Sequence, residues 1–179
     1  MNNRLSEVLG CPCYGFDEKT AVERIITLIN AGEPGYTVAI NAEKIQRFHR
    51  DAELNSIVSN SIFPYPDGAG AVLGLKWLHG VTAEKINMPI RALEAADQAG
   101  LRTFVIGAGE ANHNLAIETV IERYPNIDLV GHLHGYHGQQ DMIDAVKRTK
   151  PQLILIAMGS PRQELFAADL IEYCGFGLA

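Results

Sequence analysis

From Arg102 onward the chain alternates regularly between short β-rich apolar runs and amphipathic helical stretches. "RTFVIGA" leads into "EANHNLAIETVIERYPN", "DLVGHL" into "GQQDMIDAVKRTKP", and "QLILIAMG" into "PRQELFAADLIEYCG", with short connections. Strands that are apolar throughout, set between helices patterned on one face, demand a parallel sheet covered on both sides and joined by right-handed crossovers. The expected class is therefore α/β, with a mainly parallel sheet.

The first half follows the same logic less regularly. "DEKTAVERIITLINAG", Asp17 to Gly32, places Ala21, Val22, Ile25, Ile26, Leu28 and Ile29 at helical spacing, and Gly32 is its expected stop. "TVAIN" reads as a buried strand and "AEKIQRFHRDAELNSIVSN" as one or two helices. "IFPYPDG" reads as an extended piece ending in a turn, because each proline pushes its predecessor out of the helical region. "AGAVLGLKWLHG" and "MPIRALEAADQAG" read as helices, the second with Pro89 near its first turn. No internal repeat, low-complexity segment or linker divides the 179 residues, so one domain is expected. That length buries roughly two thirds of the unfolded surface.

Charge and cysteine content exclude several function classes. A formal net charge of −6 argues against nonspecific nucleic-acid binding as the main task. Cys11, Cys13 and Cys174 form no disulfide framework, and the odd count without a signal peptide favours a reducing cytoplasm. Cys11-Pro12-Cys13 is too close and too isolated for a zinc site. Apolar runs fall far short of the roughly 18 residues that a membrane span needs. The expectation is a protein that is soluble or at most peripheral to a membrane.

In open α/β sheets ligands sit outside the carboxyl ends of the strands, near a switch in strand order. The informative positions are thus Asn41, Asp67, Gly107 to Gly109, His134 to Tyr136, and Gly159 to Glu164. In "IAMGSPRQELF", Ser160 with Gln163 three residues on reads as a capping box, and Pro161 as the first helical residue. A capped helix start at this edge of the sheet suits a phosphate, and Arg162 adds a bidentate donor.

Asp67, in "PYPDGAG", is either ordinary Asp-Gly turn chemistry or a general base whose pKa burial would raise. Asn41 either caps the next helix or hydrogen-bonds a ligand. "IGAGEANHN" supplies Gly107 and Gly109, but Asn112 stands where a third dinucleotide-binding glycine belongs, and no acid ends the next strand. A tight strand-to-helix turn is the better reading, and a nicotinamide cofactor is disfavoured. His132, His134 and His137 in "GHLHGYHG" have spacings that a metal uses, with His132 and His134 on one face of a strand. No cysteine or carboxylate pattern supports such a site, and no D-x-D motif is present, so a metal is disfavoured too.

Taken together, "AINAEKI", "PDGAG", "FVIGAGEAN", "VGHLHGY" and "AMGSPRQE" resemble, in this order and spacing, the WecG/TagA/CpsF family of bacterial glycosyltransferases. The likeness runs from about residue 35 to residue 175, and "AINAEKI" with "AMGSPRQE" is most similar to the WecG branch. The resemblance implies a Rossmann-like, three-layer α/β domain. It also implies inverting, metal-independent transfer of an N-acetylmannosamine-type sugar from UDP to undecaprenyl-diphosphate-linked N-acetylglucosamine, at the cytoplasmic face of the membrane. In the WecG branch the sugar is N-acetylmannosaminuronic acid and the product belongs to enterobacterial common antigen; TagA-like members transfer N-acetylmannosamine for wall teichoic acid.

By position, the resemblance makes Asp67 the catalytic base, Asn41 a pocket residue and Gln163 the glutamine of the P-R-Q-E motif. The expected substrate-binding set is Asn41, Lys85, Gly107, Gly109, His134, Gly135, Tyr136, Gly159, Ser160, Arg162, Gln163 and Glu164, with no metal and no cofactor. The implied partners are the UDP-sugar donor, the polyprenyl-linked acceptor and further copies of the chain, but no nucleic acid.

Two departures stand out. Where the family reads R-V-x-G-x-D this chain has "KINMPI", so Lys85 replaces an arginine, Met88 a glycine and Ile90 an acid. Lysine keeps the charge and loses bidentate geometry. Beyond "CGFGLA" the family continues into a G-V-G-G segment and a basic, membrane-associated appendage that supplies arginines to the site. The 179-residue chain is therefore expected to be a domain truncated before that appendage, binding donor weakly and turning over slowly. Two other functions compete: a noncatalytic scaffold of an envelope polysaccharide pathway, and a nucleotide-binding oxidoreductase.

Overall fold

A computed structural model describes residues 4–179. The chain opens on a hairpin, β1 (Arg4–Val8) paired antiparallel with β2 (Cys11–Gly15). The intervening Leu9 and Gly10 both have positive φ, 50° and 80°, which matches the tight two-residue turn that the right-handed twist of paired strands favours. Then follow α1 (Glu18–Ala31), β3 (Thr37–Ile40), α2 (Ala42–Arg47), α3 (Ala52–Asn60), β4 (Phe63–Pro66), α4 (Ala69–His79) and α5 (Met88–Ala99). The regular half supplies β5 (Arg102–Gly107), α6 (Glu110–Arg123), β6 (Asp128–Leu133), α7 (Gln139–Thr149), β7 (Leu153–Ala157) and α8 (Arg162–Cys174). The fold is α/β with parallel sheets, as the alternation requires.

The stretch expected to hold one or two helices holds two. The first ends at Arg47, and Asp51 begins the second: its Oδ1 accepts the Leu54 N–H at 3.0 Å and caps α3. The hairpin is the element that periodicity did not reveal. Its signal is the alternating burial of Cys11, Cys13 and Gly15 on β2, which a helical template does not fit.

The chain divides into two compact units, one running to Ile25 and resuming over Tyr36–Met88, the other comprising Ile26–Gly35 and Pro89–Ala179. In the first, β3 and β4 pair in parallel with Thr37 opposite Phe63 and Ile40 opposite Pro66. β4 is buried along its whole length, and its Phe63 packs against Tyr14 and Phe16 at ring separations of 5.4 and 5.2 Å.

The second unit carries a three-stranded parallel sheet in the order β6-β5-β7. Side-chain alternation sends Phe104, Ile106 and Ile154 to one face, under Met142, Ile143 and Val146 of α7 and Phe166 and Leu170 of α8. Leu155 points the other way, against Leu93 of α5, Val120 of α6 and Tyr124. Within this unit the layering is helix, sheet, helix. The chain leaves β5 towards β6 and then crosses to the opposite side of β5 to make β7, so strand order reverses at β5/β7. The carboxyl ends of those two strands are where a doubly wound sheet receives ligands.

Candidate functional site

In the first unit the backbone gathers three of the expected residues at the carboxyl ends of β3 and β4. The Asp67 N–H donates to the Ile40 carbonyl at 2.8 Å, and the Ile86 N–H donates to the Pro66 carbonyl at 3.2 Å. Asn41, Asp67 and the residue before Ile86, Lys85, therefore meet at one end of the parallel pair. Asn41 caps α2, its Oδ1 accepting the Lys44 N–H at 2.9 Å, so the capping reading holds for that oxygen. Asp67 is half-buried and Lys85 exposed. Gly68, with φ of 124°, begins α4 without any side-chain cap, which leaves the start of that helix beside Asp67. A Cβ on Gly70 would lie 3.0 Å from the Ala42 Cβ, so the first turns of α2 and α4 approach closely.

In the second unit three turns converge at the carboxyl ends of β5, β6 and β7. Ala108, at φ 57°, donates its N–H to the Ala157 carbonyl and accepts the Gly135 N–H, both at 2.8 Å. A Cβ on Gly107 would stand 2.2 Å from the Ala157 oxygen, so only glycine fits there at φ 144°. One on Gly135 would meet Met158 Cγ at 3.1 Å and Gly107 Cα at 3.3 Å, and one on Gly109 would meet Tyr136 Cε2 at 3.8 Å. Tyr136 is 76% exposed over this cluster, and the Arg162 guanidinium lies 5.8 Å from its ring centre. Arg162 Nη2 also donates to the Gly135 carbonyl at 2.6 Å. The structure thus brings Gly107, Gly109, Gly135, Tyr136 and Arg162 together.

The opening of α8 differs from the expected capping box. The helix begins at Arg162, with Pro161 as the N-cap at φ −88°, ψ −3° and no side-chain cap. Ser160 falls one place too early to cap, and is exposed. Gln163 instead closes a ring with Gly159: the Gly159 N–H donates to Gln163 Oε1 at 3.1 Å, and the Gln163 N–H donates to the Gly159 carbonyl at 2.9 Å. The Gln163 N–H is thus satisfied by the Gly159 carbonyl rather than by Ser160, and the Gln163 carboxamide oxygen is engaged by Gly159. Glu164 is only 4% exposed and faces inward.

The histidines are arranged differently from expectation as well. His134 lies beyond β6, so it does not share a strand face with His132. It stacks on His137 at 4.0 Å between ring centres, and its Nδ1 accepts the Tyr136 N–H at 3.2 Å. His132 pairs with a residue that sequence reading passed over: His113 on α6, whose Nε2 is 3.0 Å from His132 Nδ1. His113 is 4% exposed, and its Nδ1 is 3.0 Å from the Gly107 carbonyl oxygen. Burial holds its pKa below the ordinary imidazole value, with the neighbouring His132, His134 and His137 acting in the same direction and the Gly107 hydrogen bond against it. Nothing local flags His113, because its partners lie on other elements. Among the described residues no three His, Cys, Asp or Glu side chains converge as a metal-ligand set.

A cavity of about 570 Å³ lies at the opposite, amino end of β7, between Ile29, Lys150 and Phe176, and holds none of the expected site residues.

A model of the Glycosyl transferase WecG/TagA/CpsF family matches residues 6–178. Over 146 residues the chain is 28% identical to the N-acetylglucosaminyldiphosphoundecaprenol N-acetyl-beta-D-mannosaminyltransferase of Bacillus spizizenii, an alignment covering 78% of this chain and 56% of that protein. The chain thus spans about half the length of that curated relative.

Proposed function

The chain belongs to the WecG/TagA/CpsF glycosyl transferase family, and from that premise we propose that it transfers an N-acetylmannosamine-type sugar from UDP onto N-acetylglucosamine carried by undecaprenyl diphosphate. The sugar is N-acetylmannosamine or its uronic acid, and the product enters a bacterial cell-envelope polysaccharide. The named activity of the Bacillus spizizenii relative supports this acceptor and sugar class. The observation that carries the reading is the convergence of the Gly107–Gly109, Gly135–Tyr136 and Gly159–Gln163 turns with Arg162 at the reversal point of a parallel sheet.

Each group of residues takes a role suited to its own geometry. Arg162 supplies fixed positive charge for the diphosphate, the Gly107 and Gly109 turn lets backbone approach it closely, and exposed Tyr136 offers a ring face to the base or sugar. Asp67 is the general base: it removes the acceptor hydroxyl proton as that oxygen displaces UDP from the sugar C1. The bond from C1 to the phosphate oxygen breaks, its electron pair leaves with UDP, and the anomeric centre inverts. Asn41 and Lys85 hold the substrate beside the base. Positive side chains and backbone N–H groups, rather than a metal, stabilise the departing diphosphate.

Peripheral contact with the inner face of the cell membrane belongs to the same reading. Helix α4 contains no acidic residue, and Leu73, Trp77 and Leu78 are exposed on it, Trp77 by 81%, beside Lys76. An amphipathic aromatic with an adjacent lysine suits a lipid headgroup layer.

Calorimetric titration with UDP, with NAD run in parallel, tests the donor assignment. Saturable binding of UDP and none of NAD is expected. Binding of NAD without UDP would overturn the proposal in favour of an oxidoreductase.

A further inference from the structure

Hydrogen-bond chemistry fixes the protons on the two imidazoles between α6 and β6. A carbonyl oxygen only accepts, so His113 Nδ1, 3.0 Å from the Gly107 oxygen, carries a proton. In the neutral ring Nε2 then has only a lone pair, and His132 Nδ1, 3.0 Å away, must be the donor. A proton on the outward Nε2 of His132 leaves both contacts intact. A second sets N–H against N–H at that distance, between two like charges, and the contact cannot persist.

The turn that His113 grips needs such support. Gly107 and Ala108 both have positive φ, 144° and 57°, and a non-glycine residue in that region persists only where its surroundings over-determine it. Backbone bonds from Ala108 to Ala157 and Gly135 supply part of that support, and the His113 side chain supplies a third hold from α6. The titratable groups acting on His113 from elements packed against it are His132 on β6 and His134 and His137 in the loop beyond. All are histidines, so nothing among them offsets the second proton.

We propose that His113 is a positioning residue for the Gly107–Gly109 turn, and that its contact with His132 makes the turn's conformation, and with it donor binding, proton-linked. The binding half rests on the donor-site reading above; the conformational half does not.

The test follows imidazole nitrogens and the backbone amides of residues 107–109 by ¹H–¹⁵N NMR from about pH 8 to about pH 5, the ordinary imidazole range. Wild type is compared with His132→Gln, a change at an exposed position. His113 is expected as the Nδ1–H tautomer at the upper end. In wild type the turn amides shift as His113 takes up its second proton. In His132→Gln they stay in place as His113 titrates, because a neutral amide repels nothing. An Nε2–H tautomer, or turn amides that move alike in both proteins, overturns the proposal.

UDP affinity is measured over the same range, with the variant controlling for titration of the nucleotide's own phosphate. Wild type is expected to lose about tenfold more affinity than His132→Gln towards the acid end, the size of one buried carbonyl left without its donor. His113→Asn, which keeps an N–H near the Nδ1 position, is expected to restore the affinity that His113→Ala loses. Equal pH dependence of UDP binding in wild type and His132→Gln, with unmoved turn amides, overturns the pair and spares the donor site. No UDP binding at any pH, with turn amides responding in wild type alone, sinks the donor reading and upholds the pair.

Discussion

Arg162 Nη2 donates to the carbonyl oxygen of Gly135 at 2.6 Å, tying the first residue of α8 to the turn that follows β6. The same guanidinium lies 5.8 Å from the centre of the Tyr136 ring, so one side chain fixes both the backbone and the aromatic of that turn. Arg162→Ala is expected to weaken UDP binding by about 10- to 100-fold, the range for losing a hydrogen bond from a charged donor. Arg162→Lys should recover little of it, since an ammonium cannot donate to the carbonyl while presenting a planar fork. Calorimetry on the two variants checks this; full recovery by lysine would mean that charge alone matters.

Asp67 and Arg162 are expected to separate kinetically. Asp67→Asn should lower the rate of transfer to a lipid-diphosphate N-acetylglucosamine acceptor by roughly 100-fold or more while leaving UDP affinity unchanged, as removal of a general base requires. Unaltered transfer would remove Asp67 from the role of base, and no transfer by either protein would favour a scaffold. A parallel loss of affinity and rate would place Asp67 in binding instead.

Two glycines on neighbouring turns predict opposite tolerances. Gly107→Ala sets a Cβ 2.2 Å from the Ala157 oxygen at φ 144°. Gly159→Ala, at φ 80°, meets nothing within 4 Å. Urea unfolding should show a loss of at least about 3 kcal/mol for the first, where backbone must move, against about 1 kcal/mol for the second, where only conformation is at stake.

Stability is expected to fall on both sides of neutral pH for identifiable reasons. Burial raises the Cys11 thiol from 9.0 to about 11, with Lys44 partly opposing, and raises Cys13 further still, with Cys11 adding to the effect. The folded chain then holds thiol protons that the unfolded chain releases, so this stability is complete below about pH 9 and is lost as pH rises through the folded values. His113 behaves oppositely. Its folded pKa lies below 6.5, so its contribution is present above that pH and disappears as pH falls through the lowered value. Urea midpoints across pH check both limbs. Native Cys11 and Cys13, both 0% exposed, should also resist alkylation at neutral pH.

Trp77 is the chain's single tryptophan and is 81% exposed. Its fluorescence is expected to be quenched by vesicles of anionic lipid carrying brominated acyl chains, and the quenching to weaken with added salt as Lys76 is screened. Unquenched emission would remove α4 from the membrane-facing surface.

How far the sequence reached is visible at α8. Its helical pattern and the glycine before it were legible, but the Ser160 cap was not, because the helix starts at Arg162 and Gln163 turns back to Gly159. A shift of one residue, within the usual uncertainty of helix ends, changed which groups meet. At Asn41 the two local readings were evenly matched, and the bond from the Lys44 N–H assigns its Oδ1 to the cap of α2. The hairpin was missed because its evidence is alternation over five residues, shorter than the helical templates around it.

By itself the sequence determined the α/β class, the order of the elements and the glycine-marked turns at strand ends. Those follow from periodicity and backbone freedom, which are written in contiguous residues. Only the tertiary structure decided that Asn41 and Asp67 end adjacent parallel strands, that His113 grips Gly107 and leans on His132, and that Arg162 reaches Gly135. These pairings depend on which strands lie side by side, and neither the β3-β4 pairing nor the reversal at β5 is recorded in any local stretch of the chain.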